Sequence, residues 1–179
     1  TAKPWIQLSV EKVRLPDGKV VDDFYQMQFI DCVVIFAQTK DGKVLMERQY
    51  KHGVRKVTLT LPTGGVDEGE EPLLAAQREL KEETGYVSTH WQHLGRFAQL
   101  GNMGGGYVNM FRALDAEQVM EPKPGDLEEM EIVLRDPAEL IEAIRSGEIS
   151  ILNTVSAILL ATHSSCVDFE FMKPFKSPR

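Results

Sequence analysis

Thiols, long apolar runs and positive charge are all scarce in this chain. Its cysteines are Cys32 and Cys166, and neither sits at a metal-site or redox spacing. Cys32 lies in the apolar stretch CVVIFA and reads as a buried thiol, and nothing in the sequence supports a disulfide. No apolar run reaches bilayer-spanning length; Ala157–Ala161, for instance, is far too short. The stretch TAKPWIQLSV lacks a hydrophobic region of the signal-peptide kind. These absences lead us to expect a cytoplasmic protein with no membrane partner. Lys and Arg number 20 against 27 Asp and Glu, a formal net charge of −7. Such a balance argues against a general affinity for nucleic acid, whose backbone calls for basic surface. Small phosphorylated ligands remain compatible, because a bound cation reverses the local field.

What the chain does have is a concentrated set of carboxylates. Residues 64–86 read GGVDEGEEPLLAAQRELKEETGY. Glu79, Glu82 and Glu83 stand at helical spacings that put them on one face. Three like charges there repel unless something compensates them. A hard divalent cation would turn that repulsion into attraction, since Mg²⁺ prefers carboxylate oxygens. Gly64 and Gly65 precede the helix and Gly85 follows it, giving a loop, a helix and a loop with marked ends.

The segment resembles the Nudix box, carried here by Gly64, Glu70, Arg78, Glu79, Leu80, Glu82, Glu83, Gly85 and Tyr86. Only Tyr86 departs, being aromatic where the family usually has an aliphatic residue. The resemblance implies diphosphate hydrolysis, which needs phosphate charge neutralised, a water activated and a leaving phosphate stabilised. It implies Glu79, Glu82, Glu83 and the backbone carbonyl of Thr63 as ligands of Mg²⁺, with Mn²⁺ as a substitute. Arg78, flanked by acids, is expected to orient them as a fork donor rather than to bind substrate. Glu70 is expected to pair with Arg78 and fix the loop. Glu79 could itself serve as the base, although ligating a metal lowers its basicity.

The likeness extends further. VLMERQYKHG, LPTGG, AAQRELKEETGY and KPGDLEEMEIV resemble the ADP-ribose pyrophosphatase branch of that family, over about Trp5 to Ala161. In that branch a late acidic loop supplies the base; register on KPGD points to Glu128, with Glu129 and Glu131 as neighbouring alternatives. Trp5 and Phe24 match the positions whose aromatics clamp the base, a role that flat rings suit. Trp5 could equally serve simple packing. Lys51 stands where the branch commonly has arginine and can meet phosphate as a point charge. The branch also implies homodimers built through the N-terminal strands.

Two departures concern the substrate. Thr60 replaces a Glu that often precedes Leu-Pro, and GRFAQLGNMGGGYVN lacks the proline expected after the box. Gly104–Gly106 is either a phosphate-cradling loop or the tip of a hairpin. The leading expectation is hydrolysis of a nucleoside diphosphate sugar, with ADP-ribose first. Alternatives are another nucleotide sugar such as GDP-mannose, a dinucleotide, or a module that senses a nucleotide without cutting it.

The 179 residues suit one domain with a sizeable core and a small appendage. Strands are expected near 24–30, 32–39, 44–50, 57–61, 94–100, 107–114 and 130–134. Helices are expected over 72–84, 137–146 and 152–163. Leu73, Leu74, Ala75, Ala76 and Leu80 should form the buried side of the first helix. Val155, Ile158, Leu159 and Ala161 should pack the last. The mixture predicts an α/β or α+β fold, which the family resemblance narrows to an α/β/α sandwich with a mixed sheet. The expected units are a β subdomain at 1–30, a hydrolase domain at 31–165 and a tail at 166–179.

Overall fold

The computed structural model describes residues 6–123 and 130–163. Trp5, Glu128, Glu129 and Cys166 lie outside the described residues. The element order is β1 (Ile6–Arg14), β2 (Val20–Phe29), β3 (Cys32–Thr39), β4 (Val44–Lys51), β5 (Lys56–Thr60), β6 (Thr63–Gly65), α1 (Pro72–Thr84), β7 (Tyr86–Val87), β8 (His90–Leu100), β9 (Gly104–Gln118), β10 (Met130–Arg135), α2 (Pro137–Arg145) and α3 (Leu152–Thr162).

The sheet is mixed. Its main path runs β1-β2-β9-β3-β4-β10, with β3 and β9 parallel and the β8–β9 and β4–β10 pairs antiparallel. β3 is the central strand. Val33 to Ala37 are no more than 1% exposed, as an uninterrupted apolar run predicts for a strand covered on both faces. Alternation then sorts its side chains between two layers. Val34 and Phe36 pack with Leu140, Ala157, Ile158 and Ala161 of α2 and α3. Val33, Ile35 and Ala37 pack with Ala75, Ala76 and Leu80 of α1. The result is the expected α/β/α layering.

α1 forms where its ends are marked. Pro72 starts it, where a missing N–H costs nothing. Gly85 ends it at φ 76°, donating its N–H to the Lys81 carbonyl, a conformation glycine adopts without strain. Its buried residues are Ala75, Ala76, Leu80 and Thr84. Leu73 and Leu74 were expected inside but are 37% and 56% exposed, since the face that meets the sheet is the one carrying Ala75, Ala76, Leu80 and Thr84. Leu159 on α3 is likewise 42% exposed, and Thr154 and Ala157 take the inner positions instead.

β1 and β2 form a hairpin closed by the Leu15–Lys19 turn. β2 joins the rest of the sheet at its far end, where Met27 pairs with Gly104. Gly104–Gly106 opens strand β9, directly after the turn from β8, so the hairpin-tip alternative is the one the structure adopts. No helix among the described residues is long and apolar enough to cross a membrane.

Candidate active site

The carboxylates of α1 are organised around Arg78. Its Nε donates to Glu70 Oε1 at 3.0 Å and its Nη2 to Glu70 Oε2 at 2.9 Å, a two-pronged fork. Nη2 also reaches the Gly65 carbonyl at 3.0 Å, and Nη1 donates to Glu79 Oε1 at 2.5 Å. Glu82 Oε2 lies 3.5 Å from Nη1. Arg78 therefore ties the loop before the helix to two of the three carboxylates on it, as an orienting residue should. Glu70 in turn accepts the Asp67 N–H at 3.1 Å and pins the loop. The Arg78 hydrogen bonds hold the Glu70 carboxyl below its ordinary range.

Glu79 is more buried and responds differently. Burial pushes its pKa up, against the pull of the adjacent guanidinium. The room it occupies is supplied by Gly64. A Cβ placed there would lie 1.9 Å from Glu79 Cδ, so the carboxyl group rests on bare backbone. Glu83 accepts the Thr63 N–H at 3.1 Å. Its pKa is also raised, first by burial and then by the Glu79 charge, while Thr63, Glu47 and Lys51 oppose the rise.

Glu47 is the residue that sequence reading missed. It sits on β4, 1% exposed, hydrogen-bonded to Glu83. Gln49 Nε2 donates to Glu47 Oε2 and to Thr60 Oγ1, each at 3.1 Å. Glu47 and Thr60 are cross-strand partners. Thr60, noted as a departure, thus stands opposite an acid that the neighbouring strand provides. The available signal was the alternation of Glu47 and Gln49 directly after the core run Val44–Met46.

Lys51 ends β4 and lies near enough for its charge to act on Glu83. Phe24 is not brought to these carboxylates within one chain. Ile30 Cδ1 reaches the Gly65 backbone, yet Phe24 is six extended residues away along β2, roughly 20 Å. Glu131 pairs with Arg48 across β4 and β10, with Nε 3.6 Å from Oε2. Strand alternation puts that pair on the sheet face opposite Glu47, so Glu131 does not point toward α1. Trp5, Glu128 and Glu129 fall outside the described residues.

The donor set of α1 and the loop before it is entirely oxygen, which suits a hard divalent cation. Among the described residues no three acidic, imidazole or thiol side chains surround one common ion position. Glu79 and Glu82 lie against Arg78, while Glu83 meets the Thr63 N–H and Glu47.

The fold and this carboxylate-lined helix define a Nudix pyrophosphohydrolase. The chain belongs to the Nudix family: the NUDIX domain profile matches residues 29–153. It is 31% identical to the ADP-ribose pyrophosphatase of Bacillus subtilis (strain 168) over 142 residues, covering 77% of this chain and 76% of that one. It is 30% identical over 167 residues to the ADP-ribose pyrophosphatase of Mycobacterium tuberculosis (strain ATCC 25618 / H37Rv), covering 92% and 79%. The fold is shared with an ADP compounds hydrolase crystal structure, at TM-score 0.72 and 19% identity over 92% of this chain and 96% of that one.

Proposed function

We propose that this chain hydrolyses the diphosphate linkage of a nucleoside diphosphate sugar, ADP-ribose first, with Mg²⁺ as cofactor and Mn²⁺ as a substitute. The products are a nucleoside monophosphate and a sugar phosphate. The observation that carries this reading is the α1 carboxylate face, seated on Gly64 and ordered by Arg78. The relatives named as ADP-ribose pyrophosphatases support the choice of sugar nucleotide.

Glu79, Glu82, Glu83 and the Thr63 carbonyl would hold the cation, which supplies neutralisation of the diphosphate charge and of the leaving phosphate. Arg78 keeps the acids in place. Glu128 takes the proton from the attacking water. Lys51 meets a phosphate as a point charge. Trp5 and Phe24 clamp the base. Because Phe24 stands far from its own α1, the clamp is assigned to the hairpin of a second copy. Ile6, Leu8, Val10 and Tyr25 support this, since the register puts them on one hairpin face and they are 42–57% exposed. Residues 1–30 are then a dimerising subdomain of a cytoplasmic homodimer. Light scattering after size-exclusion chromatography should give twice the chain mass; a monomer sinks that part.

The activity itself is tested with a panel of nucleotide sugars, dinucleotides and nucleoside triphosphates, with Mg²⁺ or Mn²⁺, and products separated by chromatography. ADP-ribose should rank among the fastest substrates. Tight binding of one nucleotide with no turnover of any diphosphate would make the chain a sensor instead.

A further inference from the structure

Glu47 is an acid in a place built for apolar side chains. It is 1% exposed and follows Val44, Leu45 and Met46, each at 0%. Acids are rarely buried to this degree, because taking them out of water is costly. An apolar side chain of similar size would fill the position without that cost. The scaffold alone therefore gives no reason for an acid here. The reason lies in what Glu47 touches, namely the Gln49 amide on its own strand and the carboxyl group of Glu83.

Arg78 orders Glu79 and Glu82, and Glu83 is ordered by a separate set of contacts. Its carboxyl group is held from two sides, by the Thr63 N–H at 3.1 Å and by Glu47. Glu83 belongs to α1 and Glu47 to β4, so the contact ties the helix to the sheet. The side chains on this part of the sheet converge on one amide. Thr60 lies opposite Glu47, and Gln49 Nε2 donates to both, at 3.1 Å each. Facing residues of an antiparallel pair have Cβ atoms about 5 Å apart. A carboxyl group at position 60 would thus reach the same amide from the other strand.

We propose that Glu47 is a positioning residue that braces Glu83 for cation binding, and that Gln49 holds Glu47 in turn. Glu47 acts through Glu83 alone and touches neither the cation nor the substrate. A glutamate side chain loses several torsions when it is fixed, and a brace formed on folding meets that cost before the cation arrives. The acid is kept at the expense of scaffold stability, as residues that support a metal ligand often are. This inference rests on the metal-dependent reading above, and its test separates the two.

The test reads Mn²⁺ binding by electron paramagnetic resonance. Glu47→Met keeps the length of the side chain and removes its polar group. It should bind Mn²⁺ about tenfold more weakly, the usual loss when a group supporting a metal ligand is removed. Glu47→Gln keeps both length and hydrogen bonding and should bind Mn²⁺ as wild type does. Equal binding by Glu47→Met overturns the proposal. So does a Glu47→Gln variant as weak as Glu47→Met, because the charge and not the brace would then be what matters. If Glu47→Met does not fold, the exchange of Glu47→Thr with Thr60→Glu decides. It offers the Gln49 amide an acid from β5 and should keep Mn²⁺ affinity within about threefold of wild type; a larger loss overturns the brace. If wild type binds no Mn²⁺ and cleaves no diphosphate, the metal-dependent reading fails by itself. Urea midpoints of Glu47→Gln, Glu83→Gln and the double variant then decide: non-additive shifts keep the contact, and additive shifts overturn it.

Discussion

The carboxyl group of Glu79 rests on the backbone of Gly64, where a Cβ would fall 1.9 Å from Cδ. Gly64→Ala must therefore displace either the Glu79 side chain or the loop. The expected result is a loss of kcat/KM of about a hundredfold, with a stability cost of about 1–3 kcal/mol, the usual range for overpacking. Steady-state kinetics with chemical denaturation separates these. Full activity would show that Glu79 need not lie where it does.

Arg78 has partners on Glu70, Glu79, Glu82 and the Gly65 carbonyl. A lysine keeps the charge and loses the planar fork. Arg78→Lys should lower kcat about 10- to 100-fold and weaken Mn²⁺ binding, read by electron paramagnetic resonance. Unaltered Mn²⁺ affinity with reduced kcat would reassign Arg78 to substrate contact.

Glu128→Gln should lower kcat strongly and leave substrate affinity nearly as it was. A general base contributes typically about 10²–10⁴-fold. Near-wild-type kcat removes Glu128 from the mechanism. Glu131→Gln is the matched comparison and should cost little, because Glu131 faces Arg48 on the other side of the sheet.

Cys32 titrates far from neutrality. Burial, then the neighbouring Asp31 charge, pushes its thiol from 9.0 to about 11. In a Cys166→Ser background, native protein should react with a disulfide reagent slowly at pH 8 and faster as pH rises toward 11. The folded chain holds this proton more tightly than the unfolded chain. Its contribution to stability is thus complete below about pH 9 and declines between there and about pH 11. Rapid labelling of the native protein at pH 8 would contradict this burial.

Much of the scaffold is legible without coordinates because strong local signals agree with the packing. α1 is an example: proline at its start, glycine at its stop and acids at helical spacing all point one way. β6 and β7 were not legible. They have three and two residues, and only their pairing with β3 and β9 makes them strands. The buried side of α1 was only half legible, since Leu73 and Leu74 carry the right hydrophobicity and the wrong position. Within the site, the Arg78 fork follows from residue types, whereas Glu47 does not. A single acid in a strand reads as solvent-facing until the partner strand shows Thr60 opposite it. The distance of Phe24 from α1 is likewise a property of topology.

β4 sends Glu47, Gln49 and Lys51 toward the site from alternate positions of one strand. The chemistry is thereby stored in the parity of that strand as well as in its letters. Inserting one residue ahead of Glu47 would deliver Met46, Arg48 and Tyr50 to those places without altering a single functional side chain. The four-residue turn at 40–43 is accordingly a counting device. Its length, more than its composition, should be what natural variation leaves alone.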